Sequence, residues 1–179
     1  RQVVETRGGV FQTVLEGQCR RPVPAETAPR RGDQEEGRQA GQEAAVRASG
    51  VGDQVRRTGR IPWDDLDALY ELASVVAVPS RFEGFGAPAL EAMAAGAPLV
   101  AADATALPWV VGDGGLLVPA GDEVAWAGIL ADLLDDPDAR RRLKVAGQAR
   151  AATFSWARAA SGLATGYRRA LAMGEDGAP

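Results

Sequence analysis

The stretch PSRFEGFGAPALEAMAAGAPLVAAD, residues 79–103, decides the fold. The apolar run VVAV at 75–78 precedes it and has the length and composition of a buried strand, which a proline ends. The sequence EGFG at 83–86 predicts a tight turn, because its two glycines let the backbone bend sharply and approach a ligand closely. Apolar residues at three- and four-residue spacing then predict a helix that ends at Gly96. A second apolar run, 97–102, predicts the next buried strand.

The turn at 83–86 and the helix after it form a ligand site in this interpretation. Free backbone N–H groups and the helix dipole make such a place suitable for phosphate. Two carboxylates, Glu83 and Glu91, flank the turn with seven residues between them. Because carboxylates repel phosphate, we expect them to face sugar hydroxyls, from which they accept hydrogen bonds. The alternative for an isolated Glu-Gly-x-Gly is an acidic turn that caps a helix, with Glu91 merely solvated.

The sequence pattern of the whole stretch, residues 79–103, is a more specific signal than the EGFG turn alone. It resembles the C-terminal, nucleotide-sugar donor-binding half of retaining GT-B glycosyltransferases of the group-1, family-4-like type, whose signature is a spaced pair of glutamates. The resemblance covers about residues 46–171. It is carried by the Pro-Ser at 79–80, the EGFG turn, the LEAMA at 90–94, the Leu-Pro at 107–108, the segments 111–113 and 115–119, the Thr-Phe-Ser-Trp at 153–156, and Tyr167.

The resemblance implies roles for the residues that match. Glu83 is expected to be catalytic: it contacts the transferred sugar and helps to position it as the glycosidic bond breaks. The amides of Gly84, Phe85 and Gly86 are expected to hold sugar and phosphate oxygens and to stabilise charge on the leaving diphosphate. Glu91 is expected to bind the ribose hydroxyls.

A second segment is implied to lie against the nucleotide base. It is the loop after a predicted strand at 54–59, with Gly59, Arg60 and Ile61 as the candidate residues. An ordinary strand-to-helix loop is an equally weighted alternative. The resemblance further implies a donor such as GDP-mannose or UDP-glucose, with no cofactor and no metal. Which sugar and nucleotide are used, and whether the acceptor is a sugar, a lipid or a small molecule, do not follow from the sequence.

Two departures from the family pattern stand out. The family has a Gly-Arg turn and a lysine near the start of this domain, which grip the donor diphosphate, and no such pair can be assigned here. Arg7 lies at a suitable distance upstream, but the only lysine is Lys144. A glutamate usually follows the Leu-Pro in the family, whereas this chain has Trp109, which removes a helix-start carboxylate worth about 0.3–1 kcal/mol. We interpret Trp109 as a tolerated surface change; a partner surface is the alternative.

Composition narrows the functional class. The chain has 179 residues, 46% of them apolar, which suits one globular domain with a core. A net charge of −4 gives no support to nucleic-acid binding. One cysteine, Cys19, and no histidine exclude an internal disulfide, cysteine–histidine catalysis and histidine metal sites. No run approaches the roughly 18 apolar residues of a membrane helix, and no signal peptide is visible, so a cytoplasmic protein is expected.

Alternating strands and helices predict a parallel sheet with helices on both faces, a Rossmann-like α/β fold. Four parallel strands are expected near 54–59, 75–79, 97–102 and 115–118. Asp122, and Asp64 or Asp65, are expected to cap helices. The expected division is an irregular N-terminal segment at 1–45, in which 3–4 and 10–11 could form short strands, a donor-binding domain at 46–173 and a tail at 174–179.

The family has two such domains in about twice this length, and this chain begins at Arg1. We therefore expect a fragment or a frame that is truncated at its N-terminus. Through the missing N-terminal domain, the protein could also associate with a membrane surface. The leading function is transfer of a hexose from a nucleotide sugar to an acceptor with retention. The alternative is a non-catalytic nucleotide-sugar-binding module or an inactive remnant of such an enzyme.

Overall fold

The computed structural model describes residues 2–6, 10–14, 40–41, 43–48, 50–59 and 61–175. Its strands are β1 (Gln2–Thr6), β2 (Val10–Val14), β3 (Val55–Arg57), β4 (Val75–Val78), β5 (Leu99–Asp103) and β6 (Leu116–Pro119). Its helices are α1 (40–41 and 43–48), α2 (Trp63–Leu72), α3 (Ala87–Ala95), α4 (Leu107–Val111), α5 (Glu123–Asp135), α6 (Pro137–Ala151) and α7 (Trp156–Glu175), with a 3-10 turn at Gly52–Gln54.

The strands form one sheet in the order β3-β1-β2-β4-β5-β6. β2, β4, β5 and β6 are parallel neighbours, and β1 is antiparallel to both β2 and β3. β3 therefore runs in the same direction as β4, β5 and β6, and the four predicted strands share one direction. This confirms the α/β sheet flanked by helices that the sequence predicts.

The antiparallel strand β1 was not expected. Only three residues separate β1 from β2, which is far shorter than the crossover that parallel neighbours need. β1 and β2 lie in the segment 1–45 that was expected to be irregular, and they contain the apolar pairs at 3–4 and 10–11 that could form short strands. β2 joins the sheet by pairing Val10 with Val75 and Gln12 with Ala77. The boundary at residue 45 and the C-terminal tail stay predictions.

The sheet buries side chains on both faces, as alternation along its strands requires. Val76 and Val78 of β4 pack with helices α2, α3 and α4, in the cluster that holds Tyr70 and Met93. Val75 points to the other face, where it packs with Leu133 of α5. The carboxyl ends of the parallel strands meet at one edge of this two-sided core, which is where open α/β sheets bind ligands.

Helix starts match the sequence predictions in one case and not in another. The Asp122 carboxylate accepts a hydrogen bond from the backbone N–H of Ala125 at 3.0 Å, so the predicted cap of α5 is confirmed. The prediction that Asp64 or Asp65 caps α2 is wrong, because Pro62 occupies the N-cap position. The two carboxylates instead lie in the first turn, where they favour the helix through its dipole.

Candidate functional site

The turn at 83–86 lies at the carboxyl end of β4 and leads directly into α3. Gly86 is the N-cap residue of α3, and its backbone is left-handed with φ of +93°. Its carbonyl oxygen accepts hydrogen bonds from the N–H groups of Ala89 and Leu90. Pro88 falls in the first turn of the helix, where its missing N–H costs nothing. The local sequence therefore builds the turn that it predicts.

The N–H groups of the turn just before this helix are available to a ligand. An α-helix leaves its first N–H groups without intrahelical partners. Within the described part of the chain, the N–H groups of Gly84, Phe85 and Gly86 donate to no carbonyl oxygen. No side chain caps this helix. The turn thus presents unpaired donors at the positive end of a helix dipole, which is a suitable arrangement for an anion.

Glu83 is held by its main chain and has a buried carboxylate oxygen. Its backbone N–H donates a hydrogen bond of 2.9 Å to Oγ1 of Thr105, which follows β5. Its side-chain Oε1 is buried and has no hydrogen-bond partner among the described residues. Most buried polar atoms in folded proteins are paired, so such an oxygen calls for a functional explanation. A ligand hydroxyl is a donor that would satisfy it.

The other predicted site residues fall into two groups. Glu91 lies on α3, eight residues after Glu83, and is half-buried. Gly59 and Ile61 lie in the loop after β3, at the same edge of the sheet. β3 is three strands from β4 in the sheet order, which corresponds to about 14 Å at normal strand spacing. Arg60, like Arg7, lies outside the described residues.

The loop after β3 presents backbone more than side chains. Gly59 is left-handed with φ of +66°, and a Cβ there would meet no atom within 4 Å. Ile61 packs against the main apolar cluster. The role predicted for this loop against a nucleotide base therefore depends on its main chain and on the surface around Gly59.

The side chain of Phe85 belongs to an aromatic cluster. Its ring meets those of Trp109 and Phe154 edge-on, with centroid distances of 6.1 Å in each case. Arg150 lies over the Phe154 ring at 4.9 Å and donates from Nε to the carbonyl oxygen of Val110. Trp109 is 64% exposed, so the residue that departs from the family pattern covers the turn from outside.

Sequence reasoning missed this cluster and the contact of Thr105 with Glu83. The only sequence signal for the cluster was the matching Thr-Phe-Ser-Trp at 153–156. The cluster borders an apolar groove of about 670 Å3, which is also lined by Leu90 and Trp156. The sequence around Thr105 gives no sign of its contact with Glu83, because the two residues are 22 positions apart and only the fold brings them together.

Two negative findings apply to the residues that the structure describes. No three or more acidic or cysteine side chains come together in a way that would hold a metal ion. None of the helices combines the length and the apolar composition needed to cross a bilayer. That the protein needs no metal and is cytoplasmic both stay predictions.

Three solved structures are similar to this chain. Sucrose-phosphate synthase from Thermosynechococcus elongatus matches with a TM-score of 0.69 and 35% identity, over 82% of this chain and 37% of that one. Anabaena HepE, solved in complex with UDP, matches with a TM-score of 0.60 and 27% identity, over 69% of this chain and 34% of that one. The C-terminal domain of a group 1 glycosyl transferase family protein from Francisella tularensis matches with a TM-score of 0.57 and 28% identity, over 70% of this chain and 64% of that one.

Sequence relatives point the same way. D-inositol 3-phosphate glycosyltransferase of Corynebacterium diphtheriae is 44% identical over 124 residues, which are 68% of this chain and 29% of that protein. The enzyme of that name from Salinispora arenicola is 45% identical over 125 residues, 69% of this chain and 28% of that protein. The chain thus spans less than a third of the length of these curated relatives.

The family model described as glycosyl transferases group 1 matches residues 32–150. That range contains the turn, α3 with Glu91, and Thr105. The parallel sheet and the similarity to the C-terminal domain of a group 1 glycosyl transferase family protein agree with this match. The chain belongs to the group 1 glycosyl transferases.

Proposed function

We propose that this chain is the donor-binding half of a glycosyltransferase that moves a hexose from a nucleotide sugar to an acceptor with retention of configuration. The observation that carries the proposal is the buried, unpartnered Oε1 of Glu83 beside unpaired N–H groups at a helix start. A nucleotide sugar carries hydroxyl donors next to phosphate acceptors. The turn carries the complementary groups side by side: the carboxylate of Glu83 as an acceptor and backbone N–H groups as donors. HepE, a neighbour in fold, was solved with UDP, which supports a nucleotide as part of the ligand.

Glu83 is the residue to which we assign the sugar. Its buried oxygen accepts a hydrogen bond from a sugar hydroxyl, which replaces the missing partner. Because a buried carboxylate oxygen interacts more strongly with positive charge than an exposed one, Glu83 also stabilises the sugar as its glycosidic bond breaks. The amides of Gly84, Phe85 and Gly86 receive the leaving diphosphate, whose negative charge grows in the same step.

Glu91 and the loop after β3 complete the donor site in this proposal. Glu91 accepts hydrogen bonds from the two ribose hydroxyls. The loop after β3, with Gly59 and Ile61, lies three strands further along the sheet edge, and we assign this loop to the base. Arg60 is assigned to the base from its place in the sequence. GDP-mannose and UDP-glucose are the donor types that we propose to test first, and no metal is assigned to the reaction.

One observation favours the alternative, a module that binds a nucleotide sugar without transferring it. A Cβ on Gly96 would lie 3.0 Å from Cε of Lys144, so this lysine packs against the C-terminal end of α3. The turn that would hold the diphosphate is at the other end of the nine-residue helix, about 13 Å away. Lys144 therefore does not serve as the phosphate lysine. The groups of this chain that we assign to charge stabilisation are amides, the helix dipole and arginines.

A binding screen tests the proposal. The chain is incubated with UDP-, GDP- and ADP-sugars and with the bare nucleotides, and thermal unfolding is recorded. Binding to the folded state stabilises it by RT ln(1 + L/Kd) at ligand concentration L, so the midpoint rises with the logarithm of that concentration once it exceeds the dissociation constant. We expect one nucleotide family to raise it at millimolar concentration. If no nucleotide or nucleotide sugar does so, the proposal is wrong.

The same samples separate the two candidate functions. After incubation with a radiolabelled donor that binds and a mixed pool of sugar and lipid acceptors, the products are analysed. Acceptor-dependent transfer supports the enzyme. Because the chain is proposed to be only the donor-binding half, it is expected to bind without transfer under either hypothesis. Binding without transfer by a longer natural version that also carries the acceptor half supports the binding module.

A further inference from the structure

Thr105 has an unusual backbone conformation. Among the described residues it is the one non-glycine residue with positive φ, at +50°. L-residues avoid this region, and β-branched residues avoid it most strongly. Glycine would adopt it without strain. A threonine in this conformation persists only where something else in the structure compensates for the strain.

The compensating contact is with the turn of the candidate site. Oγ1 of Thr105 accepts the hydrogen bond from the backbone N–H of Glu83 at 2.9 Å. The bond joins the loop after β4 to the loop after β5, at the carboxyl ends of two neighbouring parallel strands. The two residues are 22 positions apart in the chain. A glycine at 105 could not make this bond, because it has no hydroxyl group.

A second contact lies beside the first. A Cβ on Gly86 would come within 2.9 Å of Cδ2 of Leu107, the first residue of α4. The loop after β5 therefore meets the turn at two points, Thr105 at Glu83 and Leu107 at Gly86. Leu107 is fully buried and its contact is one of packing, whereas Thr105 is exposed and its contact is a single polar bond.

We propose that Thr105 is a positioning residue, which fixes the main chain of Glu83 and so directs its carboxylate toward the donor sugar. This inference rests on the function proposed above. The strain at Thr105 is retained because the hydroxyl at that place is needed for the sugar contact and not because it stabilises the fold. Thr105 does not itself touch the reacting atoms in this account.

The test compares three substitutions at Thr105 in the full 179-residue chain. Thr105→Val keeps the β-branched shape and loses the hydroxyl, Thr105→Ser keeps the hydroxyl, and Thr105→Gly loses the hydroxyl but removes the strain. Thr165→Val is the matched control, because it removes a threonine hydroxyl that donates to Ser161 within helix α7. Dissociation constants are measured by calorimetry for UDP-glucose against UDP and for GDP-mannose against GDP.

The readout is the preference for the nucleotide sugar over its bare nucleotide. We expect Thr105→Val and Thr105→Gly to lower this preference by about 2- to 12-fold, the range that corresponds to one hydrogen bond. Thr105→Ser and Thr165→Val keep it. Thr105→Gly is decisive, because relief of strain predicts an unchanged or higher unfolding temperature together with the lost preference. The inference is overturned if Thr105→Val leaves this preference unchanged. It is also overturned if the preference falls in step with the unfolding temperature across the variants.

A second measurement needs no ligand. Amide hydrogen exchange of Glu83, followed by NMR, reports whether the bond to Oγ1 exists in solution. We expect the Glu83 amide to exchange at least 10-fold faster in Thr105→Val than in the wild type and Thr105→Ser, and equal rates overturn the inference. If the wild type binds neither nucleotide pair, the proposed function fails together with its positioning residue. If it binds one pair but Glu83 exchange is unchanged, only the role of Thr105 fails.

Discussion

Cδ2 of Leu107 lies 2.9 Å from the point that a Cβ on Gly86 would occupy. The turn before α3 is thus closed against the first residue of α4, and the space left for residue 86 fits only a hydrogen atom. Because Gly86 also has a left-handed backbone, two independent constraints select glycine at this place.

Gly86→Ala is the first prediction. The new methyl group overlaps Leu107 and adopts a strained φ, so we expect a loss of about 2–4 kcal/mol in the free energy of unfolding. Gly84→Ala is the matched control, since a Cβ there would meet no atom within 4 Å. Urea titration of both variants measures the difference. Equal stability of the two would show that the turn does not close on α4.

The second prediction concerns Arg150, which holds the C-terminal end of α4. Its Nε donates to the carbonyl oxygen of Val110 at 3.0 Å, its guanidinium also bonds to the carbonyl of Trp109, and it covers the ring of Phe154. We expect Arg150→Met to cost about 1.5–3 kcal/mol, the value of hydrogen bonds to a charged group.

Arg141→Met is the control for that change. Arg141 makes an exposed ion pair with Asp138 on the same helix, and such pairs contribute little. We expect a change within about 0.5 kcal/mol. A loss at Arg141 as large as the loss at Arg150 would mean that removal of any arginine from α6 weakens the fold.

The third prediction is a gain of stability at the site. The Oε1 of Glu83 is buried without a partner, and an unsatisfied buried group costs about 1–3 kcal/mol. Glu83→Met keeps the length of the side chain and removes this cost, so the ligand-free chain should become more stable by a similar amount. Glu91→Met should give no gain, because Glu91 does have an interaction partner. Loss of stability in Glu83→Met would indicate that the carboxylate has a structural role.

The fourth prediction tests the cap of α5. Asp122→Ala removes the acceptor for the Ala125 N–H, and we expect a loss of about 1 kcal/mol. Asp132→Ala, on the exposed side of the same helix, should be neutral or slightly stabilising because alanine is the better helix former. Thermal unfolding of the two variants provides the comparison. A stable Asp122→Ala would mean that the cap is not formed in solution.

The sequence predicted the unit from β4 to β5 because its signals are local. Glycines at 86 and 96 are left-handed at the two ends of α3, with φ of +93° and +80°, as a turn and a helix terminator require. The apolar run at 75–78, interpreted as a buried strand, is β4, and all four of its residues are buried. These features depend on neighbours within a few residues, and they were confirmed.

What the sequence could not predict depends on contacts between distant residues. The bond from Glu83 to Thr105 exists because β4 and β5 are neighbours in the sheet, and the conformation of Thr105 runs against the preference of a β-branched residue. β1 and β2 each contain only a short apolar pair, and the strands that they join on their outer sides, β3 and β4, lie far along the chain. The start of α2 was misplaced because Asp64 and Asp65 both suit an N-cap, while Pro62 occupies it.

The central claim is that Glu83 accepts a hydrogen bond from the donor sugar while Glu91 holds the nucleotide. Isothermal titration of the wild type, Glu83→Ala and Glu91→Ala with a nucleotide sugar and with its bare nucleotide diphosphate tests both roles in one series. We predict that Glu83→Ala loses about 1.5–3 kcal/mol of affinity for the nucleotide sugar and almost none for the nucleotide, whereas Glu91→Ala weakens both equally. Equal losses for the two ligands in Glu83→Ala would contradict the account.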